Sequence, residues 1–232
     1  DQGQATAKVF RYLLNRCRVF HFHDTSPTAR ARAYCQVGHD RWLAHDGGNL
    51  AAMLYRFQSW EGHPHPAYRR ILGTVRQIAP FLADFVLEPT GPGGRDIILN
   101  WRNAASDEVL SAHQLSDGTL RFIALASLFL QPRELLPDVI LIDEPELGLH
   151  PAALNLLRGM VQSASNHCQV ILATQSPALV DNFDPEDVVV VDWNNGSSTF
   201  KRLQEEPLKE WLEDYTPGQL WEKNVVGGGP HG

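Results

Sequence analysis

The chain has 232 residues, 43% of them hydrophobic, and its formal net charge at pH 7 is -7. A chain of this length and composition can bury a substantial core, which excludes an intrinsically disordered protein. The acidic balance excludes a surface that is basic throughout, although a local arginine patch could still contact phosphates.

Cysteine usage and the lack of long apolar runs bear on the cellular compartment. Cys17, Cys35 and Cys168 are widely spaced and odd in number, which argues against a disulfide framework and a structural zinc site. Residues 1–8 lack the basic-then-apolar pattern of a signal peptide, and no apolar run approaches the roughly 18 residues of a membrane span. We therefore expect a soluble, cytoplasmic protein with no membrane partner.

The first hundred residues predict two helices and a hairpin. Apolar residues recur at helical spacing over residues 49–60 and again from Tyr68 to Phe81. Two short apolar segments, 85–88 and 97–101, flank a glycine- and proline-rich turn and are typical of a β-hairpin. We expect residues 1–105 to form a mixed helical and hairpin lobe.

From Leu115 onward the pattern alternates between helices and short apolar strands, as in βαβ units on a parallel sheet. The predicted helices cover 119–130 and 151–163, and the predicted strands cover 139–142, 169–173 and 188–191. The all-apolar run 139–142 is typical of a strand covered on both faces. We expect residues 106–203 to form half of an α/β core with a parallel sheet flanked by helices. We expect residues 204–232 to form a helical tail with a mobile glycine-rich end.

Two adjacent carboxylates follow the apolar strand 139–142. Asp143 and Glu144 would stand at its carboxyl end, where α/β sheets bind ligands. An aspartate there can hold a hydrated magnesium ion, and a glutamate can polarise the water that attacks a γ-phosphate. Taken alone, the pair is also compatible with a solvated acidic turn.

Two further polar segments stand at the ends of predicted elements. Ser116, Asp117 and Gly118 open the helix 119–130, and free N–H groups at a helix start form an anion site. Ordinary capping of that helix by Ser116 or Asp117 is the alternative. The segment Thr174-Gln175-Ser176-Pro177 follows the strand 169–173, which we expect to lie parallel beside 139–142. Its side chains could reach the same phosphate, or the segment could be a plain strand-to-turn junction.

The order of these segments resembles the ATPases of the ABC, SMC and RecF type. The likeness is greatest to bacterial predicted ATPases of the AAA/RecF-like group, and it extends over nearly the whole chain. Leu115 to Thr119 is similar to the ABC signature, Val139 to Glu144 to Walker B, Glu146 to Pro151 to the D-loop region, and Thr174 to Pro177 to the switch loop.

This resemblance implies a P-loop NTPase fold and ATP hydrolysis with Mg²⁺ by a head-to-tail homodimer, formed through the signature and D-loop face. The γ-phosphate held by one protomer would be contacted by Ser116, Asp117 and Gly118 of the other. Asp143 would bind magnesium, and Glu144 would be the general base. Gln175 stands where the broader ABC and SMC families present a histidine. A glutamine can orient water but cannot titrate near neutral pH.

The P-loop motif GxxxxGK[ST] does not occur in the 232 residues, because none of the four lysines follows a glycine. The resemblance puts that motif N-terminal to everything seen here. We therefore expect an N-terminally incomplete fold, a P-loop supplied in cis or in trans, and no ATPase activity from this chain alone. A non-catalytic interaction module that retains the ATPase fold is the alternative.

Two weaker signals lie in the first third of the chain. Its arginines make it locally basic, so a DNA-contacting surface is one interpretation and solvated side chains are the other. Coupling to DNA transactions or to phage defence is compatible with such an ATPase. His21 and His23 would face the same way on a strand, with Asp24 adjacent, which suggests a metal site, but no third convincing ligand is evident nearby. We therefore favour packing or hydrogen bonding for the two histidines.

Overall fold

The computed structural model describes residues 16–194 and 196–229, together with Thr6, Lys8, Phe10, Arg11 and Leu14. The chain divides into two compact units, residues 1–173 and residues 174–232. Most of segment 1–8, whose composition argued against a signal peptide, lies outside the described residues, as do residues 230–232 of the predicted mobile end. The predicted division into lobe, core half and tail stays a prediction.

The first unit contains strands and helices in alternation. Its strands are β1 (Cys17–Phe20), β2 (Cys35–Gln36), β3 (Leu82–Val86), β4 (Asp96–Ile97), β5 (Asn100–Asn103), β6 (Val109–Ser111), β7 (Val139–Asp143) and β8 (Gln169–Ala173). Its α-helices are α1 (Leu50–Gln58), α2 (Pro66–Ile78), α3 (Asp117–Phe129) and α4 (Pro151–Ser165).

A parallel sheet in the order β1-β7-β8 ends at the first of the two carboxylates identified above, Asp143, and Glu144 follows directly after it. Ile142 of β7 pairs with Phe20 of β1 and with Leu172 of β8, so the predicted parallel pairing of 139–142 with 169–173 is confirmed. Ile140 and Ile142 are buried, but Val139 and Leu141 on the other face are only half-buried. The prediction that β7 is covered on both faces was therefore wrong for one face, because the described part of the chain leaves that face partly open to solvent.

Helix α3 forms the centre of the first unit. Ten consecutive residues, 120–129, are buried, and the helix contacts α1, α2 and α4. A helix that is apolar on nearly every side, with only Arg121 and Ser127 as buried polar residues, belongs in a core rather than on a surface. Within the described part of the chain, none of the helices combines the length and the apolar character that crossing a bilayer requires.

The predicted hairpin is part of a larger antiparallel arrangement. Phe85 of β3 lies opposite Trp101 of β5, and β6 adds a third strand to β5. The β4 strand pairs with β2 instead. The predicted antiparallel pairing is therefore right for β3 and β5. It is wrong for Ile97 of β4, because its partner strand, β2, lies some sixty residues earlier in the chain.

The second unit contains α5 (Pro177–Val180), β9 (Val189–Asn194), β10 (Ser197–Arg202), α6 (Glu205–Leu212) and α7 (Pro217–Glu222). β9 and β10 form an antiparallel hairpin, and its small core contains Val190, Leu203, Leu220 and Val226. The Gly228 N–H donates to Asp192 Oδ1 at 2.5 Å, and Trp221 Nε1 donates to the Gly228 oxygen at 2.7 Å. The described part of the glycine-rich end is therefore held by hydrogen bonds.

Candidate functional site

Asp143 and Glu144 stand at the carboxyl edge of the parallel sheet. Asp143 is the last residue of β7, is exposed, and lies in register with Ala173 at the end of β8. Glu144 has a φ of 41°, in the left-handed region that non-glycine residues seldom adopt. Its N–H donates to the Ala173 carbonyl oxygen at 2.8 Å. The chain thus makes a sharp, hydrogen-bonded turn at the end of the strand.

The Asp143 carboxylate has the chemistry that a magnesium ion requires. Mg²⁺ prefers hard oxygen ligands, and in phosphate-handling sites it uses one or two carboxylates and keeps several waters. An exposed carboxylate at the edge of a sheet leaves room for those waters and for substrate phosphates. Asp143 therefore fits a hydrated ion that is shared with a nucleotide.

His23 contacts this edge of the sheet from the segment that follows β1. Its Nε2–H donates to the Asp143 carbonyl oxygen at 2.7 Å. Among the residues that the structure describes, no group of three His, Cys, Asp or Glu side chains comes together to hold a metal. The sequence pattern did not reveal this hydrogen bond, because the two residues are 120 positions apart.

Ser116 caps the amino terminus of α3. Its Oγ accepts from the Thr119 N–H at 3.2 Å and lies 2.8 Å from Thr119 Oγ1. This is the capping arrangement weighed above as the alternative to an anion site. Capping by the side chain leaves other N–H groups of the first turn without an intrahelical partner, so it does not exclude an anion there.

Asp117 forms an ion pair with a buried arginine. Arg32 Nη2 donates to Asp117 Oδ1 at 2.8 Å, while the Arg32 side chain is 5% exposed and that of Asp117 is 66% exposed. Arg32 also donates to the main-chain oxygens of Thr25 at 3.0 Å and Leu115 at 3.2 Å. Asp117 therefore has a structural partner that ties the start of α3 to residues 25–32.

Gly118 lets α3 approach the loop after β7 closely. A Cβ atom at Gly118 would lie 2.3 Å from the carbonyl oxygen of Gly148. Gly148 itself has a φ of 72°, which favours glycine. The first turn of α3 and the loop 144–150 consequently form one continuous surface.

Arg121, one turn into α3, joins three segments of the chain. The residue is 5% exposed, and its Nε donates to the Phe22 oxygen at 2.8 Å. Its Nη2 donates to the His23 oxygen at 3.1 Å, and its Nη1 donates to the Leu147 oxygen. Burial lowers the pKa of the Arg121 guanidinium, and the charge of Asp117 opposes that shift. An arginine inside an otherwise apolar helix was the sequence signal that could have identified it.

Gln175 belongs to the second unit and is exposed there. The hydroxyls on either side of it take part in local turns. Thr174 Oγ1 accepts from the Ser176 N–H at 2.9 Å, and Ser176 Oγ accepts from the Leu179 N–H at 3.3 Å at the start of α5. The catalytic role of Gln175 stays a prediction.

The glycine at position 118 gives a direct test of this packing. We expect Gly118→Ala to destabilise the protein by about 1–3 kcal/mol, because the new methyl group overlaps a main-chain oxygen that cannot rotate away. The matched control is Gly73→Ala in α2, where a Cβ would meet nothing within 4 Å. That change should be neutral or stabilising by up to about 1 kcal/mol. Urea unfolding measures both, and equal stabilities would contradict the close approach.

Comparison with known proteins gives the family. The family model described as "AAA domain, putative AbiEii toxin, Type IV TA system" matches residues 56–181, which is more than half of the chain. The chain belongs to this AAA domain family. The matched segment contains all six candidate site residues, from Ser116 to Gln175.

One curated relative and two solved structures are similar to the chain. The phosphate import ATP-binding protein PstB of Mycoplasmoides gallisepticum is 27% identical over 111 residues, which are 47% of this chain and 33% of that protein. The chain thus spans about a third of that relative's length.

A crystal structure of an SMC head bound to the C-winged helix domain of ScpA has a TM-score of 0.51 at 20% identity, covering 67% of this chain and 46% of that one. A structure from work on ATP-driven dimerization and DNA-stimulated activation of SMC ATPases has a TM-score of 0.49 at 20% identity, covering 70% of this chain and 94% of that one. The predicted α/β fold of the P-loop NTPase type and the resemblance to ABC- and SMC-like ATPases are confirmed.

Proposed function

We propose that this AAA-family chain carries the hydrolytic part of a magnesium-dependent ATPase whose site is completed by a P-loop. The observation that carries the proposal is the Asp143–Glu144 pair at the carboxyl edge of the parallel sheet. The peptide between these residues is hydrogen-bonded on both sides, to His23 and to Ala173. Carboxylates carried on such a hydrogen-bonded backbone are suited to phosphoryl chemistry, in which catalysis is mostly positioning and charge stabilisation.

Each candidate residue has a distinct task in this proposal. Asp143 would hold a hydrated magnesium ion, which neutralises charge on the phosphates. Glu144 would accept a proton from the attacking water. Gln175 would orient that water through its amide. The P-loop, in cis or in trans, would hold the β- and γ-phosphates.

The partner in this proposal is a second copy of the chain, arranged head to tail. Ser116, Asp117 and Gly118 would face the γ-phosphate bound by the other protomer, since the start of a helix offers N–H groups and a positive dipole end to an anion. Support comes from the close approach of Gly118 to Gly148, which makes α3 and the loop 144–150 parts of one surface. A link to DNA transactions or to phage defence stays a prediction.

The proposal is tested by measuring ATP hydrolysis with the chain alone and with the protein that includes a P-loop segment. We expect turnover only from the P-loop-containing protein, and only with magnesium present. EDTA should abolish it, because the γ-phosphate charge is then not neutralised. If the P-loop-containing protein neither binds nor hydrolyses ATP, the proposal is wrong.

Gln175→Ala should lower kcat by about tenfold or more in the P-loop-containing protein, with ATP binding little changed. The amide orients the attacking water without exchanging a proton, so its loss affects the chemical step. The control is Gln162→Ala, a change of the same kind at an exposed position of α4. Turnover of Gln175→Ala equal to that of the control would reject a role for this side chain.

A non-catalytic interaction module remains the second candidate. It is favoured because two residues of the signature-like segment already have structural roles. The Ser116 hydroxyl caps α3, and the Asp117 carboxylate pairs with Arg32. Against it stands the ordered turn at Asp143 and Glu144. The hydrolysis measurement above separates the two candidates.

A further inference from the structure

His23 supplies a hydrogen-bond donor at the point where strand β1 leaves the sheet. The ladder between β1 and β7 ends at Phe20, which pairs with Ile142. The N–H of the next residue, His21, lies on the side of the strand away from β7 and donates to the His45 oxygen at 2.8 Å. In the parallel pattern the Asp143 carbonyl would accept from the Phe22 N–H. The Asp143 carbonyl one position further along β7 accepts instead from the His23 imidazole at 2.7 Å. The side chain thus extends the ladder by one bond after the main chain has left.

This bond holds one side of the peptide that joins Asp143 to Glu144. In a trans peptide the C=O and N–H groups point in opposite directions. Here the C=O accepts from His23, and the N–H of Glu144 donates to the Ala173 oxygen at 2.8 Å. The plane of this peptide is therefore fixed from the β1 side and from the β8 side.

The direction of the Glu144 side chain depends on that peptide plane. The φ angle of Glu144, 41°, is the rotation about the bond that directly follows the peptide. A left-handed φ at a non-glycine residue persists only where the surroundings hold it. Loss of one of the two hydrogen bonds would let the peptide rotate and the glutamate relax towards common backbone angles.

The segment that carries His23 is itself anchored to α3. Arg121 donates to the main-chain oxygen of Phe22 at 2.8 Å and to that of His23 at 3.1 Å. The His23 imidazole therefore projects from a segment that is hydrogen-bonded to α3, and not from a free loop.

We propose that His23 is a positioning residue for the Asp143–Glu144 pair. Its Nε2–H fixes the peptide between them and so keeps the glutamate carboxylate in the orientation that hydrolysis needs. The inference rests on the proposed function for its effect on turnover. The hydrogen bond and its effect on the Glu144 peptide can be measured without turnover.

The first test compares three variants of the P-loop-containing protein. His23→Leu should lower kcat by about tenfold to a hundredfold, the size of effect that a small misplacement of a reacting group has. Binding of MgATP should change by no more than about twofold, since the phosphates are held elsewhere. His23→Gln can donate from Nε2 and should restore most of the turnover. His21→Leu, an exposed neighbour, should behave as wild type.

Either of two outcomes for turnover, or one for binding, overturns the inference. One is wild-type turnover in His23→Leu. The other is a His23→Gln protein that is folded but as impaired as His23→Leu, because a donated hydrogen bond would then not be what matters. A loss of MgATP binding as large as the loss of kcat also counts against positioning.

The second test is amide exchange of Glu144 by NMR in the protein without nucleotide. We expect exchange of the Glu144 N–H to quicken by about tenfold or more in His23→Leu, but not in His23→Gln or His21→Leu. In wild type the His23 Nε2 proton should be observable and protected from solvent. Unchanged exchange in a folded His23→Leu protein, or an unprotected Nε2 proton in wild type, overturns the inference. If wild type has no ATP turnover yet exchange responds as expected, the proposed function fails and the positioning of the peptide by His23 stands.

Discussion

Glu144→Gln is expected to lower ATP turnover of the P-loop-containing protein by about 100-fold or more, which is the range that general-base catalysis contributes. Glutamine has nearly the same shape as glutamate, so the turn after β7 should be kept. Its amide oxygen can accept a hydrogen bond from the attacking water but cannot accept the proton. Binding of MgATP should be close to wild type, because Asp143 and the P-loop are unchanged. The measurement is steady-state hydrolysis beside equilibrium binding of MgATP.

The matched control for this change is Glu134→Gln. Glu134 is exposed in the short helix Arg133–Leu135, and the substitution removes the same charge. It should leave turnover unchanged. Full activity in Glu144→Gln would remove the general-base role from this residue, and an equal loss in both variants would point to net charge and not to catalysis.

Arg121→Met is expected to destabilise the protein by about 3 kcal/mol, since it leaves buried main-chain oxygens without a donor. The side chain donates to the oxygens of Phe22, His23 and Leu147, and it is 5% exposed. Methionine replaces the volume of the arginine stem and none of its donors. For a protein of this length the loss corresponds to a fall in Tm of roughly 6–12 °C. Thermal unfolding followed by circular dichroism measures it.

The control for the second change is Arg70→Met in α2. Arg70 is exposed and donates to the Leu130 oxygen at 3.3 Å, so its neighbourhood can be rehydrated when the side chain is removed. We expect a change within about 0.5 kcal/mol. Similar losses of stability in the two variants would contradict the conclusion that Arg121 joins three segments of the core.

Several elements of the fold follow from local sequence patterns. A helix between two parallel strands was predicted from the apolar runs of β7 and β8 and from the proline at the start of α4. The pairing of Asp143 with Ala173 agrees with this prediction. These predictions succeed because hydrophobic period and capping residues are properties of neighbouring positions. Strand β1 was missed, because a strand of only four residues that includes a half-buried arginine carries too little periodicity.

The contacts around the candidate site could not be predicted in the same way. His23 and Asp143 are 120 positions apart, and Arg121 is 99 positions from Phe22. A histidine beside an aspartate in sequence favoured packing or hydrogen bonding over a metal site, but it did not identify the acceptor, which is a main-chain oxygen on another strand. Gly118 was predicted as part of an anion site, and the close approach to Gly148 gives it a packing role as well.

The sequence by itself determined the order of strands and helices after Leu115, the resemblance to an ATPase family and the two candidate carboxylates, because these depend on local composition and on motifs. Only the tertiary structure decided which groups fix the main chain around those carboxylates. It did so through hydrogen bonds from His23 and Arg121 and through the contact of Gly118 with Gly148. In these hydrogen bonds the acceptor is a main-chain oxygen, which every residue has. No pattern of side chains along the sequence can therefore predict which residue accepts.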